Sequence, residues 1–395
     1  MKPAPQLLAL NGGSSSIKFS LFTSAAAPRQ VLRGKLDRIG QSTAELSVSG
    51  PGRPSRRRMR APDHGAAVAA LVSWLEGQPW FGAVTAVGHR IVHGMAHAKP
   101  ARVDGRLLAE LRRLTPYAPD HLPIELQLLA ALRRRHPTLP QVVCFDTAFH
   151  RTMPAVARAL PLPRRYTRAG VQRYGFHGLS YQFLTEELGR LRDPAVRRGR
   201  VILAHLGNGA SLAAVRDGCS VDTSMGFTPA AGLVMGTRSG DLDPGVVAFL
   251  ARERGLSPAA FDRLVNHDSG LLGVSGTSAD MRDLLRRERG DPRAALAVEL
   301  FCYQARKWIG AYAAVLGGVD TLVFAGGIGE NAPVVRARIC DGLGFLGIRI
   351  DARRNLRNAP VISRSGASAT VRVIPTDEEL MIARSVRRML HQGAR

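Results

Sequence analysis

The chain has 395 residues, of which 45% are hydrophobic and 22% charged, and this composition excludes a disordered or collagen-like protein. The formal net charge is +24, a value that alone would suggest a nucleic-acid-binding protein. However, the basic residues are spread along the chain, and the densest run, Arg56-Arg57-Arg58-Met59-Arg60, has the length of a solvated loop or sheet edge. We therefore do not expect a nucleic-acid partner, although a positive field attracts anionic ligands such as nucleotides and carboxylates.

The cysteines and the hydropathy pattern bear on the compartment. None of Cys144, Cys219, Cys302 and Cys340 forms a CxxC pair, and each lies in or beside an apolar segment. We expect buried thiols rather than a disulfide framework or a zinc cluster. No apolar run approaches the ~20 residues of a membrane span, and the N-terminus lacks the apolar region of a signal peptide. The sequence thus predicts a cytoplasmic protein with no membrane partner.

The first 150 residues alternate between strand-like and helix-like patterns. The apolar run 7–10, the turn 11–16 and the alternating residues 17–21 predict a β-hairpin. The other elements predicted here are an edge hairpin within 28–62, helices 65–76, 105–114 and 123–135, and strands 84–92 and 141–145. Between Arg151 and Arg173 the composition shifts to Pro and Arg, which favours a domain boundary near this segment.

A second hairpin is predicted from strand 201–206, turn 207–211 and the extended residues 212–215. It starts about 195 residues after the first, a spacing that indicates a duplicated domain rather than a solenoid repeat. The remaining predicted elements are helices 244–253, 257–266, 279–289, 292–316, 333–342 and 377–391, and strands 321–325, 346–350 and 371–374. Strands interleaved with helices indicate an α/β fold.

Three glycine-rich turns, at 11–16, 207–211 and 326–331, each follow a predicted strand. Backbone N–H groups in such turns can approach phosphate oxygens because no Cβ intervenes. Any one of them is adequately explained as an ordinary tight turn, but three in one chain favour a nucleotide site. None matches the P-loop GxxxxGK[ST] or a GxGxxG within a βαβ unit.

Polar residues at strand ends form a second group of candidates. Arg90 and Asp146 each end a predicted strand, and Arg238 lies among small residues, where it is placed to fork onto a carboxylate or phosphate. Three histidines lie in motifs: His121, His177 and His205. They are either structural, hydrogen-bonded residues or transition-state donors, and no HxxxH or HxH pair supports a metal site.

The segment 375–380, Pro-Thr-Asp-Glu-Glu-Leu, opens the last predicted helix. Thr376 and Glu379 fit a capping box, in which the two side chains bond each other's backbone N–H groups. Asp377 and Glu378 would then remain available for a cation, and Mg²⁺ usually takes only one or two carboxylates.

Nine ordered motifs resemble the acetate and propionate kinase family, and they cover essentially the whole chain. They are LALNGGSSSIKF (8–19), GHRIVHG (88–94), FDTAFH (145–150), RYGFHGLS (173–180), AHLGNGAS (204–211), DTSMGFTP (222–229), MGTRSGDLDPG (235–245), FAGGIGEN (324–331) and PTDEEL (375–380). The resemblance implies the two-lobed fold of actin, hexokinases and heat-shock ATPases, with a duplicated βββαβαβα core and an active site in the cleft between the lobes. It implies an N-terminal lobe at 1–150, completed by the C-terminal helix at about 376–395, and a nucleotide-binding lobe at 151–375.

The resemblance also implies the activity: reversible transfer of the ATP γ-phosphoryl group to acetate, with Mg²⁺ (or Mn²⁺), by a cytoplasmic homodimer. Asp146, His177 and Arg238 would be catalytic, and Asn11 and Glu378 would hold the metal shell. The implied substrate-binding residues are Arg90, Val92, His121, Phe176 and Pro229. The implied nucleotide-binding residues are Lys18, His205, Leu206, Gly207, Asn208, Gly209, Asp280, Met281, Arg282, Gly327, Ile328, Gly329, Glu330 and Asn331.

The chain departs from the family pattern at three positions. Asp120 stands where a leucine that helps line the acyl pocket is usual, Leu122 where Asn is usual, and Asp377 where Asn is usual. A buried carboxylate beside an anionic substrate is costly unless paired, so either Asp120 turns onto a nearby arginine or the pocket accepts a more polar acid. We expect the first. The alternatives to acetate are propionate or another short acid, and more distantly a sugar kinase of the same superfamily, whose neutral hydroxyl needs no pair of arginines.

Overall fold

The computed structural model describes residues 4–13, 16–40, 43–51 and 53–392, and the chain divides into two compact units. Unit 1 comprises Met1–Ala148 and Asp377–Arg395, and unit 2 comprises Phe149–Thr376. Ser14 and Ser15 of the first glycine-rich turn lie outside the described residues. The chain therefore enters unit 2 once and returns for its last helix.

Unit 1 is built on an eight-stranded sheet. Its strands are β1 (Gln6–Gly12), β2 (Ser16–Thr23), β3 (Gln30–Asp37), β4 (Ala44–Ser49), β5 (Ser55–Met59), β6 (Val84–Ile91), β7 (Ala101–Arg102) and β8 (Gln141–Phe145). Their order is β5-β4-β3-β2-β1-β6-β8-β7, antiparallel from β5 to β1, with β1, β6 and β8 parallel. The arginine run lies on the edge strand β5, where Arg56, Arg57 and Arg58 are exposed, so its assignment to a sheet edge is confirmed.

Unit 2 repeats the central part of this topology. Its strands are β9 (Arg200–Leu206), β10 (Ala210–Arg216), β11 (Cys219–Thr223), β12 (Thr321–Ala325) and β13 (Thr370–Val373). The order β11-β10-β9-β12-β13 has the same directions as β3-β2-β1-β6-β8: two antiparallel pairs followed by two parallel pairs. The duplication inferred from the two hairpins is therefore confirmed at the level of the sheets.

The helices lie between and after these strands. They are α1 (His64–Glu76), α2 (Gly105–Arg113), α3 (Leu122–Arg135), α4 (Ala155–Arg158), α5 (Arg164–Arg168), α6 (Gly178–Arg190), α7 (Ala195–Arg198), α8 (Pro244–Arg254), α9 (Pro258–Arg263), α10 (Gly270–Ser275), α11 (Met281–Arg287), α12 (Pro292–Leu316), α13 (Gly326–Asn331), α14 (Pro333–Cys340), α15 (Ala352–Leu356) and α16 (Glu378–Gln392). A π-helical turn, Leu264–Asp268, continues α9. Within the described ranges, no helix has the length and apolar character needed to cross a membrane.

The cores follow from the apolar faces of sheets and helices. In unit 1, Phe19 and Leu71 are buried in a cluster that joins the first strands to α1 and α3. Helix α16 packs on β1, β6 and β8 so closely that a Cβ at Gly88 would lie 2.3 Å from Ile382 Cγ2. A side chain at Gly88 would displace Ile382 and Val386, so glycine at this position allows α16 to pack closely on β6.

Two predicted elements of unit 2 are wrong. Residues 326–331 form α13 rather than a turn, because Glu330 Oε1 accepts a hydrogen bond from Gly326 N (2.9 Å) and holds the first helical turn. Residues 346–350 are not a strand: a left-handed Gly347 (φ 79°) interrupts them, and only Ile350 forms a bridge, to Ser363.

Other elements went unpredicted although the sequence carried a signal. In α6, Leu179, Phe183, Leu184 and Leu188 are buried at helical spacing. The edge hairpin within 28–62 is a three-stranded meander.

Cys219 is exposed, contrary to the expectation of a buried thiol, because it follows the hairpin turn Asp217-Gly218, whose φ values are 52° and 78°.

Candidate functional site

Three of the polar residues predicted to form the site lie at the carboxyl ends of three parallel strands in unit 1. β1 carries Asn11, β6 carries Arg90, and Asp146 follows β8 directly. Leu10 pairs with His89 and Arg90 with Cys144, so the three side chains leave the sheet at one edge. In open α/β sheets this edge is where ligands bind.

Arg90 is the centre of this edge. Its Nε and Nη2 donate to Asp146 Oδ2 at 2.8 and 2.6 Å, and its Nη1 donates to Gly12 O (3.1 Å) and Glu125 Oε1 (3.0 Å). The side chains of Arg90, Asp146 and Glu125 are only 12%, 1% and 0% exposed. Burial opposes the charge of the guanidinium, but the two carboxylates outweigh it and raise the pKa of Arg90. One cation is thus held between two buried anions.

Glu125 was missed by the sequence analysis. Its second oxygen, Oε2, accepts from Val92 N (2.9 Å), so one carboxylate contacts two residues expected to bind substrate. Burial raises the pKa of Glu125 to about 8, although Arg90 and the Val92 N–H act in the opposite direction. The signal was a carboxylate on the apolar face of α3, since Leu122, Glu125 and Leu129 are spaced to lie together and all are buried.

An acidic group lies at the start of α16. Asn11 Nδ2 donates to Glu378 Oε2 (2.9 Å) and to Glu379 Oε1 (3.0 Å). Lys18 pairs with Asn11 in the β1–β2 register. Burial raises the pKa of Glu379, and the positive charge of Lys18 partly offsets this. The side chains offer oxygen donors, which are the ligands that Mg²⁺ prefers.

The cap of α16 differs from the predicted capping box. Asp377 Oδ1 accepts from Leu380 N (2.8 Å) and is the capping side chain, while Glu379 bonds Asn11. Asp377 outcompetes Thr376 because an aspartate directly before the first turn reaches the N3 amide. Asp377 is therefore occupied at one oxygen rather than available as predicted.

His121 and Asp120 stand just before α3. His121 is half-buried and its carbonyl accepts from Glu125 N (3.2 Å), so it lies one turn from the Arg90 cluster along the helix. Asp120 is half-buried too. Its expected arginine partner stays a prediction.

In unit 2, the adjacent strands β9 and β12 end side by side and present two of the glycine-rich segments. The turn 207–209 closes with Gly207 N donating to Gly209 O (3.0 Å). A Cβ at Gly326, where φ is 75°, would lie 2.7 Å from Leu206 O. Backbone therefore lies against backbone here, which brings His205, Leu206, Gly207, Asn208 and Gly209 next to α13 with its residues Gly327, Ile328, Gly329, Glu330 and Asn331.

His177 and Arg238 converge on Gly209. A Cβ built there would lie 3.3 Å from His177 Nε2 and 3.5 Å from Arg238 Nη1. His177 has φ 59° at the start of α6, its Nδ1 is 2.8 Å from Ser211 Oγ, and its ring stacks on His205 at 4.3 Å. A guanidinium N–H and an imidazole nitrogen beside the same glycine can bind a transferring phosphoryl group when Nε2 carries the proton.

The neighbours of this pair are held by buried hydrogen bonds. Burial lowers the pKa of His150 to about 4, so its ring is neutral: Nε2–H donates to Phe176 O (3.0 Å) and Nδ1 lies 2.9 Å from Ser220 Oγ. Phe176 is buried beside His177. Pro229 O accepts from Arg238 Nη1 at 3.3 Å. Phe176 and Pro229 are thus neighbours of the catalytic candidates through their backbone.

Two of the segments expected at the nucleotide, the turn 207–209 and the residues just before α11, meet at Gly236. Gly236 N donates to Asn208 O (2.9 Å), and a Cβ at Gly236 would lie 3.3 Å from Ala279 O. Asp280 caps α11 by accepting from Arg282 N (2.8 Å), Arg282 is exposed and Met281 is buried. Asn331 Nδ2 donates to Gly327 O (3.0 Å), and Glu330 Oε1 also accepts from Thr376 N (3.1 Å). Several of these side chains therefore hold the loops themselves.

Arg336 is a second residue that the sequence analysis missed. It is fully buried, and its Nη1 donates to Gly329 O (2.8 Å) and Glu330 O (3.0 Å). Its Nε donates to Asn355 Oδ1 (2.8 Å). Burial lowers the pKa of Arg336 to about 10. These bonds satisfy the carbonyls at the end of α13 and fix the glycine-rich segment.

Comparisons with known proteins match nearly the whole chain. The sequence profile of the Acetokinase family matches residues 6–384. Acetate kinase of Rhodopseudomonas palustris is 44% identical over 396 residues (98% of this chain, 99% of that protein), and propionate kinase of Citrobacter rodentium is 43% identical over 390 residues (97% and 96%). The crystal structure of Porphyromonas gingivalis acetate kinase matches with a TM-score of 0.88 at 38% identity, covering 98% of this chain and 100% of that one.

These matches confirm the predicted fold class and define a phosphotransferase whose acceptor is a carboxyl group. The chain belongs to the acetokinase family. As a kinase of this family it uses ATP and ADP as co-substrates.

Proposed function

We propose that the protein is an acetate kinase that reversibly transfers the γ-phosphoryl group of ATP to acetate, giving acetyl phosphate and ADP. The observation that carries the proposal is the convergence of His177 Nε2 and Arg238 Nη1 on the glycine turn at Gly209. Membership of the family supports the choice of a carboxylate acceptor.

Unit 1 is assigned to the acid and the metal. Arg90 binds the substrate carboxylate, Asp146 holds the Arg90 guanidinium and positions groups around the transferring phosphate, and Val92 and His121 contribute to acid binding. Asn11 and Glu378 would hold Mg²⁺, a hard cation that usually keeps several waters and needs one or two carboxylates. When bound, the metal neutralises negative charge on the phosphates.

Unit 2 is assigned to the nucleotide. The turn His205–Gly209 contacts phosphates, and the segments 280–282 and 327–331 hold the adenosine part, with Lys18 of unit 1 approaching the phosphates. Phe176 and Pro229 are assigned to the acyl methyl group. The buried bonds of Arg336 and Glu330 support this assignment because they preorganise the glycine-rich segment.

The chemistry explains this choice of residues. A carboxylate is already ionised at pH 7, so the acceptor needs no general base. The barrier lies in bringing an anion to a polyanion, and positioned cationic donors lower it. Arg238 and His177 are the residues of this chain that we assign to the phosphoryl group in transfer.

Propionate is the second candidate substrate. Propionate kinases of Citrobacter are as similar to this chain as the acetate kinases are, at 43% and 44% identity. One methylene in an apolar pocket changes discrimination by only about 1–3 kcal/mol. The residues described above are therefore compatible with either acid.

We further propose that the protein is a cytoplasmic homodimer whose interface includes α8. Its Val246, Val247 and Phe249 are exposed, and none of its residues is buried. A helix that exposes this much apolar side chain is typical of an interaction surface. In sedimentation experiments, Phe249→Asp should weaken dimerisation, while Phe345→Asp, at a still more exposed phenylalanine outside α8, should not. Sedimentation of both variants like the wild type would exclude α8 from the interface.

A hydroxylamine trap tests the activity directly. Purified protein, Mg-ATP and one acid (acetate, propionate, butyrate or glycerate) are mixed, and the acyl hydroxamate is measured. A signal that requires both ATP and Mg²⁺ supports acyl phosphate formation, and the ranking of acids identifies the substrate. A folded protein that binds ATP and stays silent with every acid contradicts the proposal.

A further inference from the structure

The two oxygens of Glu125 both face N–H donors. Oε1 accepts from Arg90 Nη1 at 3.0 Å and Oε2 accepts from Val92 N at 2.9 Å. A protonated carboxyl group has one O–H donor, which cannot face either partner. The arrangement seen is therefore best suited to the carboxylate, and a proton on either oxygen weakens the contact that this oxygen makes.

These contacts reduce what Arg90 can offer to a substrate. Its bonds to Asp146, Gly12 and Glu125 use four of the five N–H groups of a guanidinium. A substrate carboxylate recognises arginine best through two parallel N–H groups. With Glu125 ionised, the substrate must compete with an internal carboxylate for Nη1.

The charges lead to the same conclusion. Arg90 on β6 and Asp146 after β8 face Glu125, and Glu378 on α16 acts on Arg90 from a third element. One guanidinium thus already faces two carboxylates before an anionic acid arrives. A third negative charge in a buried cluster is costly unless one of them is neutralised.

We propose that Glu125 is a positioning residue that releases Arg90 Nη1 when it takes up a proton, so that the carboxylate of the acid substrate replaces it. The inference rests on the proposed function, in which Arg90 binds the acid. Where Glu125 is ionised, one proton passes from solvent to a Glu125 oxygen as the acid binds, the Glu125–Arg90 hydrogen bond breaks, and an Arg90–substrate hydrogen bond forms. The carboxyl group keeps one acceptor oxygen for Val92 N.

The environment favours this exchange near neutral pH. Burial raises the pKa of Glu125 to about 8, so the proton is available to the group at pH 7 and is lost above pH 8. If only the protonated form admits the acid, the KM for acetate should rise roughly tenfold between pH 7 and pH 9, with little change in kcat or in the KM for ATP.

The test compares KM for acetate across this pH range in three proteins. The wild type should show the rise, and Glu125→Gln, which is neutral at every pH, should show a flat profile. Glu110→Gln is the matched control, because Glu110 lies in unit 1 and pairs with His97 instead of Arg90. It should retain the wild-type profile. Melting temperature and the KM for ATP report whether Glu125→Gln is folded.

A second measurement needs no variant. Acetate is titrated into the wild-type enzyme by calorimetry at pH 8 in two buffers of different ionisation enthalpy, and uptake of roughly half a proton per acid is expected. No proton uptake, or a wild-type KM that is flat with pH, overturns the inference while leaving the kinase activity intact. A Glu125→Gln profile that still rises with pH overturns it as well. An enzyme that binds ATP but traps no acyl hydroxamate overturns the proposed function, and this inference with it.

Discussion

Removing Arg90 should destabilise the protein far more than removing an exposed arginine. Asp146 and Glu125 share its guanidinium and are almost completely buried. Breaking a buried ion pair by deleting one partner costs about 3–5 kcal/mol, a large part of the ~5–15 kcal/mol that stabilises a typical protein. The matched control is Arg190→Ala: the Arg190 side chain is 68% exposed and pairs with Glu187, so about 0–1 kcal/mol is expected.

The assay is urea unfolding of wild type, Arg90→Ala and Arg190→Ala at pH 8 and at pH 5.5. The folded-state pKa of Glu125 is already raised, and losing Arg90 removes a charge that lowers it. A carboxyl group whose pKa is raised by folding destabilises the folded state increasingly as pH rises from its unfolded value towards its folded value. The loss in Arg90→Ala should therefore be larger at pH 8 than at pH 5.5. If Arg90→Ala is as stable as the wild type at pH 8, or if its loss of stability is larger at pH 5.5 than at pH 8, then Arg90 does not stabilise the protein by neutralising Glu125 and Asp146.

Three further predictions concern other parts of the site. Arg238→Ala should lower kcat by about 10²–10³, because it removes the donor that we propose for the phosphoryl group, whereas Arg263→Ala, at an exposed arginine, should leave kcat unchanged. Equal rates of the two variants in steady-state assays would contradict the role proposed for Arg238. Arg336→Met should raise the KM for ATP and lower the melting temperature, because the Gly329 and Glu330 carbonyls lose their donor, and an unchanged KM for ATP would contradict its positioning role. Asp120→Leu should change the acetate-to-propionate ratio of kcat/KM by less than about threefold if Asp120 turns onto an arginine, and a reversed preference would show that it faces the acid.

The positions of the strand ends could be predicted from the sequence. Apolar runs ending in Arg90 and Asp146 locate the edge of the first sheet, since buried parallel strands read as continuous apolar segments. The hairpin at 201–215 and the strand at 321–325 do the same for the second sheet. At Gly326 the local sequence fits both a turn and the start of a helix. The hydrogen bond from Gly326 N to Glu330 Oε1 favours the helix.

The partners of the site residues could not be predicted. Glu125 lies 35 positions from Arg90, and its role depends on the packing of α3 against β6 rather than on any local motif. Arg336 lies in a helix whose composition is unremarkable, yet it is buried and donates to five acceptors, two of which are carbonyls of the glycine-rich segment. The sequence pattern predicted a capping box of Thr376 and Glu379 for α16, but Asp377 is the cap, because backbone geometry brings its carboxylate to Leu380 N.

The charge of the whole chain is a poor guide to the charge of the site. The protein carries a formal charge of +24, but at the strand ends of unit 1 Asp146 and Glu125 bond the buried guanidinium of Arg90, and Glu378 and Glu379 bond Asn11. If Arg90 binds the acid as proposed, an anionic acid would enter a locally negative edge. Binding there is favourable only when positive charge enters with it, either as a proton on Glu125 or as a cation at Asn11 and Glu378. On this reasoning, acid affinity should depend on both pH and divalent cation, and the +24 charge governs only how fast anions arrive.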